Sequence, residues 1–411
     1  MGKINLPKGV KDFFNDSMWT IAGLLLLNVS AQFAVYPFLD QMLGSETYGN
    51  VLTLISYANI ISISIGTGCN SARMQQSSRH ETANGEYNRV FAVVMIAAIP
   101  LAFAIQWISG ITMDLVDTIL YAVLLVLLML RYYCDVDFRL RLDYKGMFLY
   151  YLSVALGYLV GLLISKLTGR WAFSLIIGEA LCLVTVSLRG KVLRQNIREV
   201  SAFSKEAYDT ILALVLTQFL SNVIFNSDRL LLNAVIGGEA VTTYYVASLL
   251  GKTVSLVTSP LNNVIIGHMA RYKGGLKFKT MMTVVGILAG FGALCLLACT
   301  VASYILIPIL YPQEFDTAKA YFILANLASI IFSLTGVLTS FLLVFNTGGQ
   351  QLEISITYVV AFLVICIPAT LAFGLNGFMW GIVAVNVVRF VVAGIIGIHV
   401  SNKSKEEVPE E

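Results

Sequence analysis

Five charged side chains lie within stretches that are otherwise apolar enough to cross a membrane. They are Glu179, Asp228, Arg229, Lys252 and Arg389. A charge at such a depth costs roughly 2.5–3.5 kcal/mol on insertion scales, so it usually faces a bundle interior or a wet cavity. Three of the five are basic and two are acidic, which leaves a net charge of +1. Because arginine offers phosphate a planar fork and lysine offers it a point charge, the set suits a compact anion.

The three basic residues are candidate contacts for such an anion. Lys252 and Arg389 each lie well inside a predicted span, and we expect both to bind phosphate. The alternative for each is that the side chain snorkels to the interface or bonds neighbouring carbonyl groups. Arg229 lies seven residues before the helix end predicted at Ile236, so a structural role and a binding role both fit it.

The two acidic residues are candidates for coupling transport to an ion. Asp228 and Arg229 are adjacent in the sequence, so on a helix they point about 100° apart and cannot pair directly. Asp228 could therefore bind a coupling ion or form an ion pair with Lys252. A buried Glu179 could exchange a proton, and the alternative is a neutral carboxyl group held by hydrogen bonds.

Polar side chains also repeat at helical spacing in two of the predicted spans. Gln32 and Tyr36 are four residues apart, as are Asn222 and Asn226, so each pair forms a stripe on one helix face. Amide stripes can bind sugar hydroxyl groups, since each amide both donates and accepts hydrogen bonds. They can equally hold neighbouring helices together.

Composition determines the elements that must position these residues. Apolar residues make up 57% of the 411 residues and charged residues 12%, whereas soluble domains carry about 45–50% and about 25%. Since roughly 20 mostly apolar residues span a bilayer, the sequence predicts an all-α integral membrane protein with about 12 transmembrane helices. The predicted spans are 17–39, 48–67, 90–109, 113–131, 147–166, 171–188, 209–236, 241–265, 281–310, 318–345, 354–373 and 376–399.

Lysine and arginine are distributed unequally between alternate loops. One set of loops contains 21 of these residues, including Arg73 and Arg131, and the opposite set contains three. Because cytoplasmic loops are enriched in both residue types, we expect both termini to lie in the cytoplasm. The even number of spans agrees with this orientation.

Similar turns follow the first and seventh predicted spans. Leu43-Gly44-Ser45-Glu46 and Ile236-Gly237-Gly238-Glu239 are 193 residues apart, which corresponds to six spans. This indicates a parallel internal repeat of two six-helix bundles around a central cavity, although Gly-rich turns also recur in unrelated helical bundles. The predicted organisation is a cytoplasmic segment at 1–16, bundles at 17–200 and 201–400, and a cytoplasmic tail at 401–411.

Three pairs of glycines are spaced four residues apart within spans. Such pairs permit close helix approach, so we interpret them as packing signals. They are Gly157 and Gly161, Gly286 and Gly290, and Gly377 and Gly381.

Two of these regions resemble a known family. Pro37-Phe38-Leu39 followed by the turn from Leu43 to Gly49 is similar to a motif of the O-antigen and capsule repeat-unit flippases. These belong to the multidrug/oligosaccharidyl-lipid/polysaccharide exporter superfamily. Asp228-Arg229-Leu230-Leu231-Leu232 adds a shorter similarity. Family members commonly carry an arginine soon after the leucine of the first motif, where this chain has Asp40-Gln41. The resemblance implies two six-helix bundles around a cavity and alternating access for lipid-linked oligosaccharides.

The resulting hypothesis is a non-enzymatic flippase of the bacterial plasma membrane that moves undecaprenyl-pyrophosphate-linked sugar units. The expected partners are the lipid-linked oligosaccharide, membrane lipids, a polysaccharide polymerase and glycosyltransferases, with no nucleic acid, cofactor, metal site or catalytic residue. One alternative is a multidrug exporter of the same superfamily, whose cavity for organic cations should be acidic or aromatic. The other is a membrane-embedded polymerase or glycosyltransferase, which needs a large loop or a carboxylate cluster at the interface.

Overall fold

The computed structural model describes residues 8–194, 197–269, 275–343, 345 and 348–406. The predicted terminal segments 1–16 and 401–411 therefore lie partly outside the described residues. The same holds for three basic residues used to predict orientation, which are Lys3, Arg271 and Lys273.

Twelve helical segments, here α1–α12, make up the described part of the chain. Three are uninterrupted and short, and three are uninterrupted and long. The shorter ones are α3 (Gly85–Ser109), α5 (Tyr144–Thr168) and α6 (Phe173–Arg189). The longer ones are α7 (Ser204–Val235), α8 (Gly238–Met269) and α9 (Phe278–Leu310). An α-helix satisfies its own backbone hydrogen bonds, which lipid cannot do, and this explains why apolar stretches of this length are helical.

The other segments contain an irregular turn or a break. In α1, helices Lys8–Ser30 and Tyr36–Leu43 join through the π-helical turn Ala31–Val35. In α2, Ser45–Ala58 and Ser64–Ser77 join through the π-helical turn Asn59–Ile63. Segment α4 comprises Leu115–Cys134 and Val136–Leu140, and α10 comprises Phe315–Ala318, the 3₁₀ turn Lys319–Tyr321 and Phe322–Leu342. Segment α11 begins with Gly348–Ala361 and the π-helical turn Phe362–Cys366, and it ends at Gly374, beyond which α12 continues to Glu406.

The number of spans agrees with the prediction once three features are taken into account. Among the described residues, nine helices meet length and hydropathy requirements for crossing a membrane. One of them, Gly349–Asn402, has 54 residues and contains two helices that are separated at Gly374, where φ is 59° and ψ is −139°. Segment α6 has 17 residues, which is slightly less than the length requirement. Segment α8 is a further long helix, and these additions bring the number of segments to twelve. The predicted all-α class with about 12 membrane helices is therefore confirmed.

The chain divides into two compact units. The first unit contains the described residues up to Gly44 together with Asn50–Leu230, and the second contains Ser45–Gly49 and the chain from Leu231 onward. The division thus falls within α7. The predicted boundary between bundles at residues 200 and 201 stays a prediction.

Hydrogen bonds from buried polar side chains connect helices within each unit. In the first unit, the Tyr121 hydroxyl donates to the Leu54 carbonyl oxygen at 2.7 Å. In the second unit, the Asn326 side chain accepts from the Gly251 amide at 2.7 Å and donates to the Ser303 hydroxyl at 3.1 Å. An unsatisfied buried polar group costs about 1–3 kcal/mol. These bonds therefore favour one packing arrangement of helices whose apolar surfaces are otherwise similar.

The structure distinguishes the three glycine pairs. A Cβ atom built on Gly161 would lie 2.5 Å from the Phe173 carbonyl oxygen, so α5 and α6 approach closely there. A Cβ atom on Gly377 would likewise overlap the Ala369 carbonyl oxygen. Around Gly286 and Gly290, by contrast, no described atom of a neighbouring helix lies within 4 Å of the built Cβ. The packing interpretation is confirmed for the first and third pairs and is wrong for Gly286 and Gly290.

Two arginines that were predicted to lie in loops are instead buried in helices of the first unit. Arg73 lies in α2 and Arg131 in α4, and 8% and 7% of their surfaces are exposed. Both helices continue past the predicted span ends at residues 67 and 131, because aromatic and acidic partners accommodate the charged side chains. The predicted excess of basic residues in loops is correspondingly smaller.

Candidate functional site

A buried ion pair in the first unit brings together α4, α5 and α6. Arg131 Nε lies 2.6 Å from Glu179 Oε2, and the exposed fractions of these side chains are 8% and 0%. The Tyr158 hydroxyl donates to the other carboxylate oxygen of Glu179 at 2.6 Å. The Arg131 guanidinium also lies over the ring of Tyr132, 4.0 Å from its centroid. Glu179 is therefore held as a carboxylate between one cation and one hydroxyl donor.

Two predicted site residues lie near this pair. The Tyr36 hydroxyl is within electrostatic range of Arg229, Arg131 and Glu179. Arg229 in turn donates from Nη1 to the Ser56 hydroxyl at 3.4 Å. The first unit therefore gathers charged and phenolic groups from α1, α4, α5, α6 and α7, and we call Tyr36, Arg131, Tyr158, Glu179 and Arg229 the first-unit cluster.

The π-helical turn in α1 determines the environment of Gln32. An extra residue in one turn shifts the face that the following residues present, and such turns frequently mark functional sites. Gln32 lies within this turn, and its Oε1 atom is buried without a hydrogen-bond donor among the described residues. A buried acceptor of this kind is available to a ligand hydroxyl group.

The predicted amide stripe on α7 makes helix contacts. Asn222 Nδ2 donates to the Ser64 hydroxyl on α2 at 3.1 Å and to the Gln218 carbonyl oxygen at 2.9 Å. Asn226 is 3% exposed, and its amide donates to the Asn222 carbonyl oxygen at 2.9 Å. These contacts support the interpretation of the stripe as a packing surface, and sugar binding by either residue stays a prediction.

Asp228 is also buried, with 7% of its surface exposed. Its Oδ1 atom accepts a hydrogen bond from the Arg229 backbone amide at 2.8 Å. Ion coupling at Asp228 stays a prediction, as does ion coupling at Glu179. No group of three or more metal-ligating side chains occurs in the described parts of the chain.

The second unit holds the other two predicted cations against aromatic rings. Lys252 Nζ lies 4.7 Å from the Tyr244 ring centroid. The Arg389 guanidinium lies 4.9 Å from the Phe332 centroid and 5.4 Å from the Tyr358 centroid. Its Nε and Nη1 atoms are buried and make no hydrogen bond within the described part of the chain. Aromatic faces partly compensate a cation without neutralising it, so Arg389 remains available to an anion.

Solved transporter structures share this arrangement of helices. No family model and no curated protein matches the chain. An inward-facing multidrug resistance transporter of the MATE family is 15% identical, with a TM-score of 0.66 over 95% of this chain and 100% of that one. The eukaryotic MATE transporter AtDTX14 is 14% identical, with a TM-score of 0.63 over 97% of this chain and 100% of that one. The lipid II flippase MurJ, in an inward closed conformation, is 10% identical, with a TM-score of 0.64 over 96% of this chain and 90% of that one.

The chain has the same fold as these MATE transporters and MurJ. Both belong to the multidrug/oligosaccharidyl-lipid/polysaccharide exporter superfamily, and the fold that the resemblance implied is confirmed. This fold agrees with a multi-pass membrane protein. At 10–15% identity, the similarity carries no information on cargo, and the narrower assignment to polysaccharide flippases stays a prediction.

No feature of the sequence indicated that Arg131 and Tyr158 belong to the site. Arg131 ends an apolar run and therefore resembles a loop residue, whereas Tyr158 resembles an ordinary aromatic residue of a span. A signal was present, however, in Glu179. A carboxylate in the middle of a membrane-spanning helix requires a counter-charge or hydrogen-bond donors, and an arginine at the end of an apolar run is a suitable partner.

Proposed function

We propose that this protein is a non-enzymatic flippase that moves undecaprenyl-pyrophosphate-linked oligosaccharide units across the bacterial plasma membrane by alternating access. The observation that carries the proposal is the environment of Arg389. This arginine lies between two aromatic rings, and its Nε and Nη1 atoms have no hydrogen-bond partner in the described chain. A half-buried cation of this kind suits a phosphate group and disfavours a cationic cargo.

The fold supports the proposal because one of the similar structures is a lipid II flippase. The remaining cations add to it. Lys252 shares the second unit with Arg389, and Arg131 and Arg229 lie in the first-unit cluster. In our proposal each unit offers its own cations to the anionic headgroup, Gln32 and Tyr36 are candidate contacts for sugar hydroxyl groups, and the polyprenyl tail stays in lipid. Asn222 and Asn226 are further candidates for contacts with sugars.

The second candidate is a multidrug exporter, since the MATE structures have the same fold. The aromatic rings at Lys252 and Arg389 are the observation that favours it, because such rings also bind organic cations. In this chain a protein cation already occupies each of these faces, and we therefore prefer an anionic cargo.

The test is translocation in proteoliposomes. Fluorescent prenyl-diphosphate oligosaccharide is placed in both leaflets, and its accessibility to a membrane-impermeant quencher is followed with time. We expect Arg389→Gln to slow translocation at least tenfold, since a hydrogen bond between charged groups is worth about 1.5–3 kcal/mol. Equal rates for wild type and Arg389→Gln would contradict the role assigned to this residue.

A matched control is available in Arg73. Its guanidinium also lies between two aromatic rings, 5.3 Å from the Tyr87 centroid and 5.9 Å from the Tyr133 centroid. Unlike Arg389, it donates from Nη1 to the Tyr133 hydroxyl. We therefore expect Arg73→Gln to lower stability while leaving the rate per folded molecule unchanged.

A further inference from the structure

We infer that the Arg131–Glu179 pair couples binding of a diphosphate headgroup to uptake of one proton by Glu179. The inference rests on the proposed function, because it takes the anionic headgroup as the ligand. In the free protein Glu179 neutralises Arg131. When the diphosphate binds, it replaces Glu179 as the counter-ion of Arg131, and the Glu179 carboxylate takes a proton from solvent.

The contacts of Arg131 leave its phosphate-binding edge open. The ion pair joins Glu179 to Nε, and Nη1 and Nη2 make no hydrogen bond to a side chain or backbone group in the described residues. Two parallel N–H groups of a guanidinium match two phosphate oxygens. Arg131 also keeps 8% of its side chain exposed, whereas Glu179 has none. An anion that approaches from solvent therefore reaches Arg131 before it reaches Glu179.

Protonation of Glu179 follows from the charges at the pair. Arg131 and Glu179 together are neutral, so a bound diphosphate adds uncompensated negative charge beside a buried carboxylate. A neighbouring anion disfavours the charged form of a carboxyl group, as burial does. Glu179 can carry the proton on Oε2, the oxygen that Arg131 releases, while Oε1 keeps its hydrogen bond from Tyr158.

The groups around the pair offer no other proton acceptor. Each is a cation, a phenol or a thiol, and none is a second carboxylate. They are Arg131 and Tyr132 from α4, Tyr150 and Tyr158 from α5, Cys182 from α6, Tyr36 from α1 and Arg229 from α7. The Tyr36 hydroxyl is within electrostatic range of both the pair and Arg229. In the described surroundings of the pair, Glu179 is thus the group that can gain a proton when the anion binds.

A second Arg–carboxylate–Tyr arrangement in the same unit serves as an internal comparison. Asp135 Oδ2 lies 2.9 Å from Arg139 Nη2 and accepts from the Tyr151 hydroxyl at 3.0 Å. Its arginine is 41% exposed, and Asp135 also accepts a hydrogen bond from Asn70. Its donors, Asn70, Tyr151 and Arg139, stabilise the Asp135 carboxylate whether or not an anion is near, so Asp135→Asn should not affect the proton linkage.

The experiment measures proton uptake when farnesyl diphosphate binds to the full-length protein in detergent. Calorimetry in buffers with different ionisation enthalpies gives the number of protons taken up for each ligand bound. We expect about one proton more for wild type than for Glu179→Gln, and the wild-type value for Asp135→Asn. Between about pH 7 and pH 9, wild-type affinity should fall about tenfold per pH unit relative to Glu179→Gln.

The outcomes separate this inference from the proposed function. If wild type binds farnesyl diphosphate and Glu179→Gln takes up as many protons, the coupling is wrong and the cargo assignment stands. If wild type does not bind the diphosphate at all, both are overturned.

A second measurement does not require Glu179→Gln to fold. Infrared difference spectra of wild type should show the carbonyl band of a protonated carboxylic acid when farnesyl diphosphate is added. In Glu179→Asp this band should shift in frequency, which assigns it to this position. If wild type binds the ligand and no such band forms, the coupling is overturned.

Discussion

The buried Arg131–Glu179 pair predicts a large coupling energy in a double-mutant cycle. The cycle compares wild type, Arg131→Met, Glu179→Met and the double variant. Each single variant leaves one buried charge without its partner, which typically costs about 3–5 kcal/mol. The double variant replaces the pair with two apolar side chains and should be about as stable as wild type, because such replacements are often neutral or stabilising.

The magnitude follows from the geometry of the pair. The shortest distance between the two groups is 2.6 Å, so their charge centres are about 4 Å apart. At that distance, an effective dielectric constant of about 20 gives an attraction of about 4 kcal/mol. Exposed fractions of 8% and 0% leave little screening by solvent. Two single losses of about 3–5 kcal/mol each, both recovered in the double variant, give a coupling free energy of about 6–10 kcal/mol, of which the attraction itself supplies about 4 kcal/mol.

The assay is reversible unfolding in mixed micelles of increasing denaturing-detergent content. The matched control is the same cycle at Arg139 and Asp135, where the arginine is 41% exposed and the carboxylate 8%, so solvent screens the arginine and the coupling free energy should be smaller than at Arg131 and Glu179. A coupling energy at Arg131 and Glu179 no larger than that of the control pair would refute the reasoning. So would a double variant that is less stable than either single variant.

Two further predictions concern packing and the loop before α4. Gly161→Ala should destabilise the protein by about 1–3 kcal/mol through overpacking. Gly290→Ala, in open surroundings, should leave the stability unchanged or raise it by up to about 1 kcal/mol. Equal unfolding free energies for the two variants would contradict this prediction. Bidentate hydrogen bonds from Arg170 lower the pKa of Asp114 below 3.8. Stability from this contact is present above that value and disappears as pH falls through the lowered pKa, so Asp114→Asn should be less sensitive to acid than wild type. An unchanged acid profile of the unfolding midpoint would count against the contact.

Much of the fold could be predicted from the sequence because lipid imposes a strong constraint. A helix is the structure that satisfies the backbone of an apolar span, so hydropathy alone predicted all twelve segments, including the short α6 that contains Glu179. The π-helical turn at Gln32 could not be predicted, since it depends on the packing of α1 against its neighbours. For the same reason the sequence could not show that Gly161 is packed and Gly290 is open.

The candidate site could be predicted in part. Glu179 and Arg389 were identified because a charge within an apolar run is costly. Arg131 was missed because it lies at the end of such a run. At that position the sequence does not distinguish a loop from a continuing helix, so the free-energy cost of a charge in the membrane does not identify the residue. Its role became visible with the 2.6 Å contact to Glu179, which joins residues 48 positions apart.

The charge of the transported molecule tests the central claim most directly. The same proteoliposomes are loaded in parallel with fluorescent prenyl-diphosphate oligosaccharide and with a fluorescent organic cation, and protein-dependent transport of each is measured. Our account predicts transport of the anionic lipid, slowed by Arg389→Gln and unaffected by Arg73→Gln, with no transport of the cation. Transport of the cation without transport of the lipid would contradict the account and establish the multidrug alternative.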